Sequence, residues 1–157
     1  MTAAGIVLIL GAAVGASLLL TREARVRLSE LEAVISLIAF IRQNIDTFAS
    51  PVDTIASSWS CSVKGAKHFS DAVRKDGLKA AVYGGHVSLS AEARNDIETF
   101  AENIGKGYRD EEVKRCEYYL ARFEGYLASA RESFERYRPL YRYVPFVCAA
   151  SIIIIAL

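Results

Sequence analysis

His68, His86, Cys61, Cys116 and Cys148 are the side chains whose types suit metal ligation or nucleophilic attack, but their spacing suits neither. A structural zinc site draws its Cys and His ligands from closely spaced pairs, and no such pair occurs here. Loop or surface positions are expected for both histidines. Cys116 has Arg115 beside it, which favours a thiolate, yet it falls on an apolar helical stripe, so a packed thiol is expected rather than a reactive one. The stretch "NIGKGYR" holds a glycine–lysine pair, whereas a phosphate loop needs Gly-x-x-x-x-Gly-Lys-Ser/Thr between a strand and a helix. A helix precedes it and Tyr108 and Arg109 follow, so it reads as a helix end and a tight turn. Acids and bases recur at helical spacing, as in Glu111 with Arg115 and Glu132 with Arg136, which is the pattern of solvated ion pairs. No catalytic residue, metal or cofactor is expected, and the protein is read as a non-enzyme.

The charge distribution shows what must position these residues. All 19 Lys and Arg and all 18 Asp and Glu lie between Arg22 and Arg142, and both flanks are uncharged. "MTAAGIVLILGAAVGASLLLT" is long enough, as a helix, to span about 30 Å of bilayer hydrocarbon. The run from Tyr143 to Leu157 reaches roughly 22 Å, and Leu140 with a snorkelling Arg142 would extend it. Three segments are therefore expected: a transmembrane helix over 1–21, a cytoplasmic helical domain over 22–142, and a C-terminal transmembrane helix over 143–157. Arg22, Arg25 and Arg27 follow the first apolar run, and Arg138 and Arg142 precede the second, so the positive-inside rule puts the middle in the cytoplasm and both termini outside. Gly11 and Gly15 form Gly-x-x-x-Gly, a helix-packing motif in lipid. A net charge of +1, with acids matching bases throughout the middle, argues against a nucleic-acid surface.

Within the middle the periodicity is helical. Leu28, Leu31, Ile35, Ile38 and Ile45 make one stripe, and Val34, Leu37, Ile41 and Phe48 make its neighbour, before Pro51 ends the segment. Short helices are expected around Val52–Trp59 and Phe69–Val73. Gly77, Gly84 and Gly85 make 76–90 the least regular part, and Ser88 or Ser90 can cap the helix carrying Ile97, Phe100 and Ile104. Asp110 is the expected cap of the last helix. Its apolar seam runs Val113, Cys116, Leu120, Phe123, Leu127, Ala130, Phe134, Tyr137, Tyr141. The expected fold is all-α: a membrane-anchored antiparallel helical bundle in which the first and last helices pair and continue into the two transmembrane segments.

The order of these features, with "LSELEAVISLIAFIRQNIDTFASPVDTIASSW" and "IGKGYRDEE" leading into the long last helix, resembles stage III sporulation protein AB of endospore-forming Firmicutes over nearly the whole chain. The resemblance implies a component of the channel between mother cell and forespore, located in the mother-cell membrane around the forespore. Its helical domain would be similar to those of the platform proteins of type II secretion and type IV pilus machines. Its implied partners are the membrane, the stage III sporulation protein AA ATPase and other channel components, with no nucleic acid and no small-molecule substrate. A membrane scaffold docking that ATPase is thus the expected function, with Tyr108, Arg109, Asp110, Glu111 and Glu112 as the nominated contact. The alternatives are an anchored enzyme or regulator using His86 and Cys116, and a small homo-oligomeric pore through Gly11 and Gly15.

Overall fold

The apolar periodicity of the middle produces five α-helices among the described residues: α1 (Ala3–Thr47), α2 (Val52–Ser58), α3 (Lys67–Tyr83), α4 (Ala91–Asn103) and α5 (Arg109–Ala156). This computed structural model describes the backbone of residues 3–47, 52–63, 65–85 and 88–156, and side chains within 11–45, 52–63, 65–85 and 88–139 except 13, 16, 17 and 20, plus 143 and 147. The chain forms two compact units, Met1–Arg25 with Ala130–Leu157, and Val26–Ser129.

In Val26–Ser129 the two stripes of α1 become the wall of the core. Val34, Leu37, Ile38 and Ile41 are fully buried, and the buried core also takes in Ile55 and Ala56 of α2, Phe69, Val73, Leu78 and Val82 of α3, Ile97 and Phe100 of α4, and Cys116 and Phe123 of α5. Trp59, just past α2, is buried with its ring edge-on to Phe69 at 5.9 Å, and its indole N–H donates to Ser36 Oγ at 3.4 Å. Burying an aromatic of this size removes it from water at a gain of several kcal/mol, and its N–H keeps a partner. The α5 seam is fully buried at Cys116 and Phe123, partly buried from Leu127 to Phe134, and exposed at Tyr137. Tyr141 lies outside the described side chains.

Ser90 is the cap of α4, its hydroxyl accepting from the Ala93 N–H at 3.3 Å. Three local expectations change. The span 76–90 is broken at Gly77, as expected, but is more regular beyond it than expected, because helix resumes after the kink and runs to Tyr83. Gly77 takes φ +84° and ψ 166°, conformations that L-residues avoid, and this bend lets Leu78, Ala81 and Val82 reach the core. The last helix begins one residue ahead of Asp110, so Tyr108 is its cap and Asp110 lies inside the first turn. Arg115 pairs with Glu112 instead of Glu111, at 2.5 Å.

Among the described residues no helix is long and apolar enough to cross a membrane. This overturns both expected transmembrane helices, and with them the membrane-anchored form of the bundle, the membrane scaffold and the membrane location with outward termini. The physical reason is charge within the two long helices: in α1 the uncharged residues end at Thr21. Arg22, Glu23, Arg25 and Arg27 then follow in the same helix, and α5 carries Arg131, Glu132, Glu135, Arg136 and Arg138. In Met1–Arg25 with Ala130–Leu157, Leu18, Leu19, Tyr143 and Val147 are exposed, and Glu132 pairs with Arg136 at 2.8 Å across one helical turn.

Candidate functional site

The turn between α4 and α5 is built from the end of one helix and the start of the next. After α4, Ile104 is buried and Gly105 reverses the chain with φ +84°. The positive φ favours glycine at Gly105, and a Cβ there would stand 3.2 Å from Val52 Cγ2, which would have to give way by a few tenths of an ångström. The expected helix end and tight turn are therefore present. The Tyr108 carbonyl accepts from the N–H groups of Glu111 and Glu112, both at 3.0 Å, which starts α5.

Two carboxylates then fold back over the turn. Glu111 Oε2 accepts from the Tyr108 N–H at 3.4 Å, the reach-back half of a capping box. Glu112 is buried, and its Oε1 accepts from the Gly107 N–H at 2.6 Å and from Arg115 Nη1 at 2.5 Å. The same Arg115 nitrogen donates to the Asn103 carbonyl at 2.9 Å, so one guanidinium joins the end of α4 to the start of α5. Burial pushes the Glu112 carboxyl toward its neutral form, but the bond from Arg115 and the amides of Gly105 and Gly107 outweigh it and hold the pKa below the usual carboxylate value. The second carboxylate oxygen, Glu112 Oε2, is buried with no hydrogen-bond partner among the described residues.

Of the five nominated residues, Tyr108, Arg109, Asp110 and Glu111 are exposed and share the turn, whereas Glu112 is an internal strut. Arg22, Arg25, Arg27 and Arg138 are exposed, and the Arg142 side chain lies outside the described residues. Gly11 and Gly15 have open space where a Cβ would stand. Cys116 is fully buried, and burial pushes its thiol up to about 12, the condition of a packing residue. His68 is exposed, while His86 and the Cys148 side chain lie outside the described residues. No group of three or more His, Cys, Asp or Glu among the described residues is placed to hold a metal.

Two polar clusters escaped the sequence reading. Arg122 of α5 lies over the rings of Tyr118 and Tyr126, 5.8 and 5.9 Å from their centroids, and donates to both hydroxyls at 2.9 Å. Its other partner is Asp96 of α4 at 2.8 Å, which also accepts from the Tyr126 hydroxyl at 2.7 Å. The Tyr-x-x-x-Arg-x-x-x-Tyr spacing places all three on one helical face and was the available signal. The second cluster is the buried Glu30, whose Oε2 accepts from the Ser88 N–H at 2.5 Å. Burial raises its pKa, against the lowering effects of that bond and of Arg27. Nothing in the spacing of a residue in α1 and one 58 positions later could have revealed that pair.

One protein-family model, described as Stage III sporulation protein AB, matches residues 2–157. No curated protein and no solved structure gives a significant match.

Proposed function

Because the chain belongs to the stage III sporulation protein AB family, we propose that it serves as a helical adaptor of the sporulation channel machinery, docking an ATPase through the α4–α5 turn. The family is a non-catalytic channel or scaffold component that associates with other sporulation-channel components, so the protein is not an enzyme. The ATPase is the stage III sporulation protein AA ATPase, the counterpart of the secretion ATPases engaged by platform proteins; this step is an analogy of family and machine.

The observation that carries the docking reading is the clasp. Arg115, Glu112 and Gly107 fix a turn whose outer residues are solvent-exposed, with Tyr108 at 85% exposure. A restrained backbone presenting an exposed tyrosine binds with little loss of conformational entropy. Mixing the full chain with the purified ATPase tests the reading. Co-elution as one complex is expected, and separate elution at micromolar concentrations of both proteins would overturn it.

A further inference from the structure

The two helices in the middle of the chain carry opposite exposed charge. On α3, Lys67, Asp71, Arg74 and Lys75 follow i, i+4, i+7, i+8 spacing, so they share the face opposite the buried Phe69, Ala72 and Val73. Asp76 is exposed just before the bend at Gly77, and Lys79 just beyond it. Four cations thus stand against two acids, and none of the six makes an ion pair among the described residues.

The balance on α4 is the reverse. Glu92 and Glu102 are exposed, and Glu98 is half-buried one turn before Glu102. The Tyr83 hydroxyl donates to Glu102, and that bond, with the nearby charge of Glu98, raises the phenol's pKa, a sign of local negative potential. Asp96 is neutralised by Arg122 at 2.8 Å, and the single cation of α4, Arg94, already has an interaction of its own. Although α3 and α4 pack against each other, no ion pair among the described residues joins the α3 cations to the α4 glutamates. The two faces do not satisfy each other within one chain.

We propose that the α3 face of one copy docks on the α4 face of the next, so that the chain associates with itself head to tail. The occupant is a second copy because this one sequence carries both complementary surfaces. Such a contact is heterologous: every pairing leaves one face of each kind open, so the assembly closes as a ring or grows as a filament. Exposed ion pairs are individually weak and screened by salt, so the association depends on several acting together and on low ionic strength. It is independent of the ATPase-docking reading and uses residues outside the α4–α5 turn.

Sedimentation equilibrium of the full chain alone, at low and high salt, tests the proposal. Wild type is expected to associate as its concentration rises, and about tenfold less tightly at high salt. Arg74→Glu with Lys75→Glu, or Glu98→Lys with Glu102→Lys, is expected to lose at least about tenfold in affinity. An equimolar mixture of the two reversed chains is expected to recover to within about threefold of wild type, since each offers the face that the other lacks. Unchanged thermal unfolding confirms that each fold is kept; for a reversal that unfolds the chain, Arg74→Gln with Lys75→Gln, or Glu98→Gln with Glu102→Gln, carries the same test with a smaller loss. A wild type that stays monomeric at its highest soluble concentration, association that strengthens with salt, variants that associate as wild type does, or a mixture without recovery would overturn the proposal while leaving ATPase docking untouched.

Discussion

Glu112→Gln removes one charge from a buried site and changes little else in shape. In the wild-type chain the carboxylate is almost inaccessible and accepts two short bonds, from Gly107 N–H at 2.6 Å and from Arg115 at 2.5 Å. A hydrogen bond to a charged partner contributes about 1.5–3 kcal/mol. The glutamine oxygen still accepts from Gly107, and Arg115 keeps the Asn103 carbonyl and partial exposure, so the loss falls near the lower end, at about 2 kcal/mol. For a chain of this length that is a fall of about 4–8 °C in Tm. The pH dependence is specific. A carboxyl whose folded-state pKa is lowered contributes stability above its unfolded value, near 4.5, and loses it as pH falls through the lower folded value. Thermal or urea unfolding of the two full chains should show the gap at pH 7 and see it close well below pH 4.5. Equal stability at pH 7, or a gap unchanged at pH 3, would refute the clasp.

Glu30→Gln is expected to behave oppositely: burial raises this group's pKa, so the variant should equal wild type at low pH and become the more stable of the two as pH rises through the Glu30 titration. A glutamine that destabilises at neutral pH would contradict this. Gly125→Ala should stabilise α5 by about 1 kcal/mol in urea unfolding, since Gly125 lies in a helix interior with open space at its Cβ position. Ser90→Ala should cost about 1 kcal/mol by removing the α4 cap. Iodoacetamide at pH 8 should label partly exposed Cys61 well before Cys116, as read by peptide mass spectrometry, and prompt labelling of Cys116 in the folded chain would contradict its burial.

Much of this fold is legible in residue spacing because helical burial is periodic. The paired stripes of α1 foretell Val34, Leu37, Ile38 and Ile41 at the core, and the steps of three and four in α5 foretell Cys116 and Phe123. Ser90 and Gly105 were readable because capping hydroxyls and reversed chain directions favour few residue types. Gly77 does break α3, as its type suggests, but a glycine signals freedom in φ without saying that helix resumes beyond it. The choice of Glu112 over Glu111 by Arg115 depended on which carboxylate faces the Asn103 carbonyl, a tertiary relation that i,i+4 spacing does not encode. The α4–α5 turn was legible as a string of charges, but the burial of Glu112 beneath it was not, because it depends on the Gly107 amide and Arg115 meeting that one carboxylate. The apolar flanks suggested spans that the described helices do not provide.

Amide hydrogen exchange of the full chain, with and without the purified ATPase, tests the docking claim most directly. Slowed exchange centred on residues 104–112, with the α2–α3 connection unaffected, is the predicted result. Exchange in 104–112 that is the same with and without a saturating ATPase, with protection appearing elsewhere, would contradict the assignment of this turn.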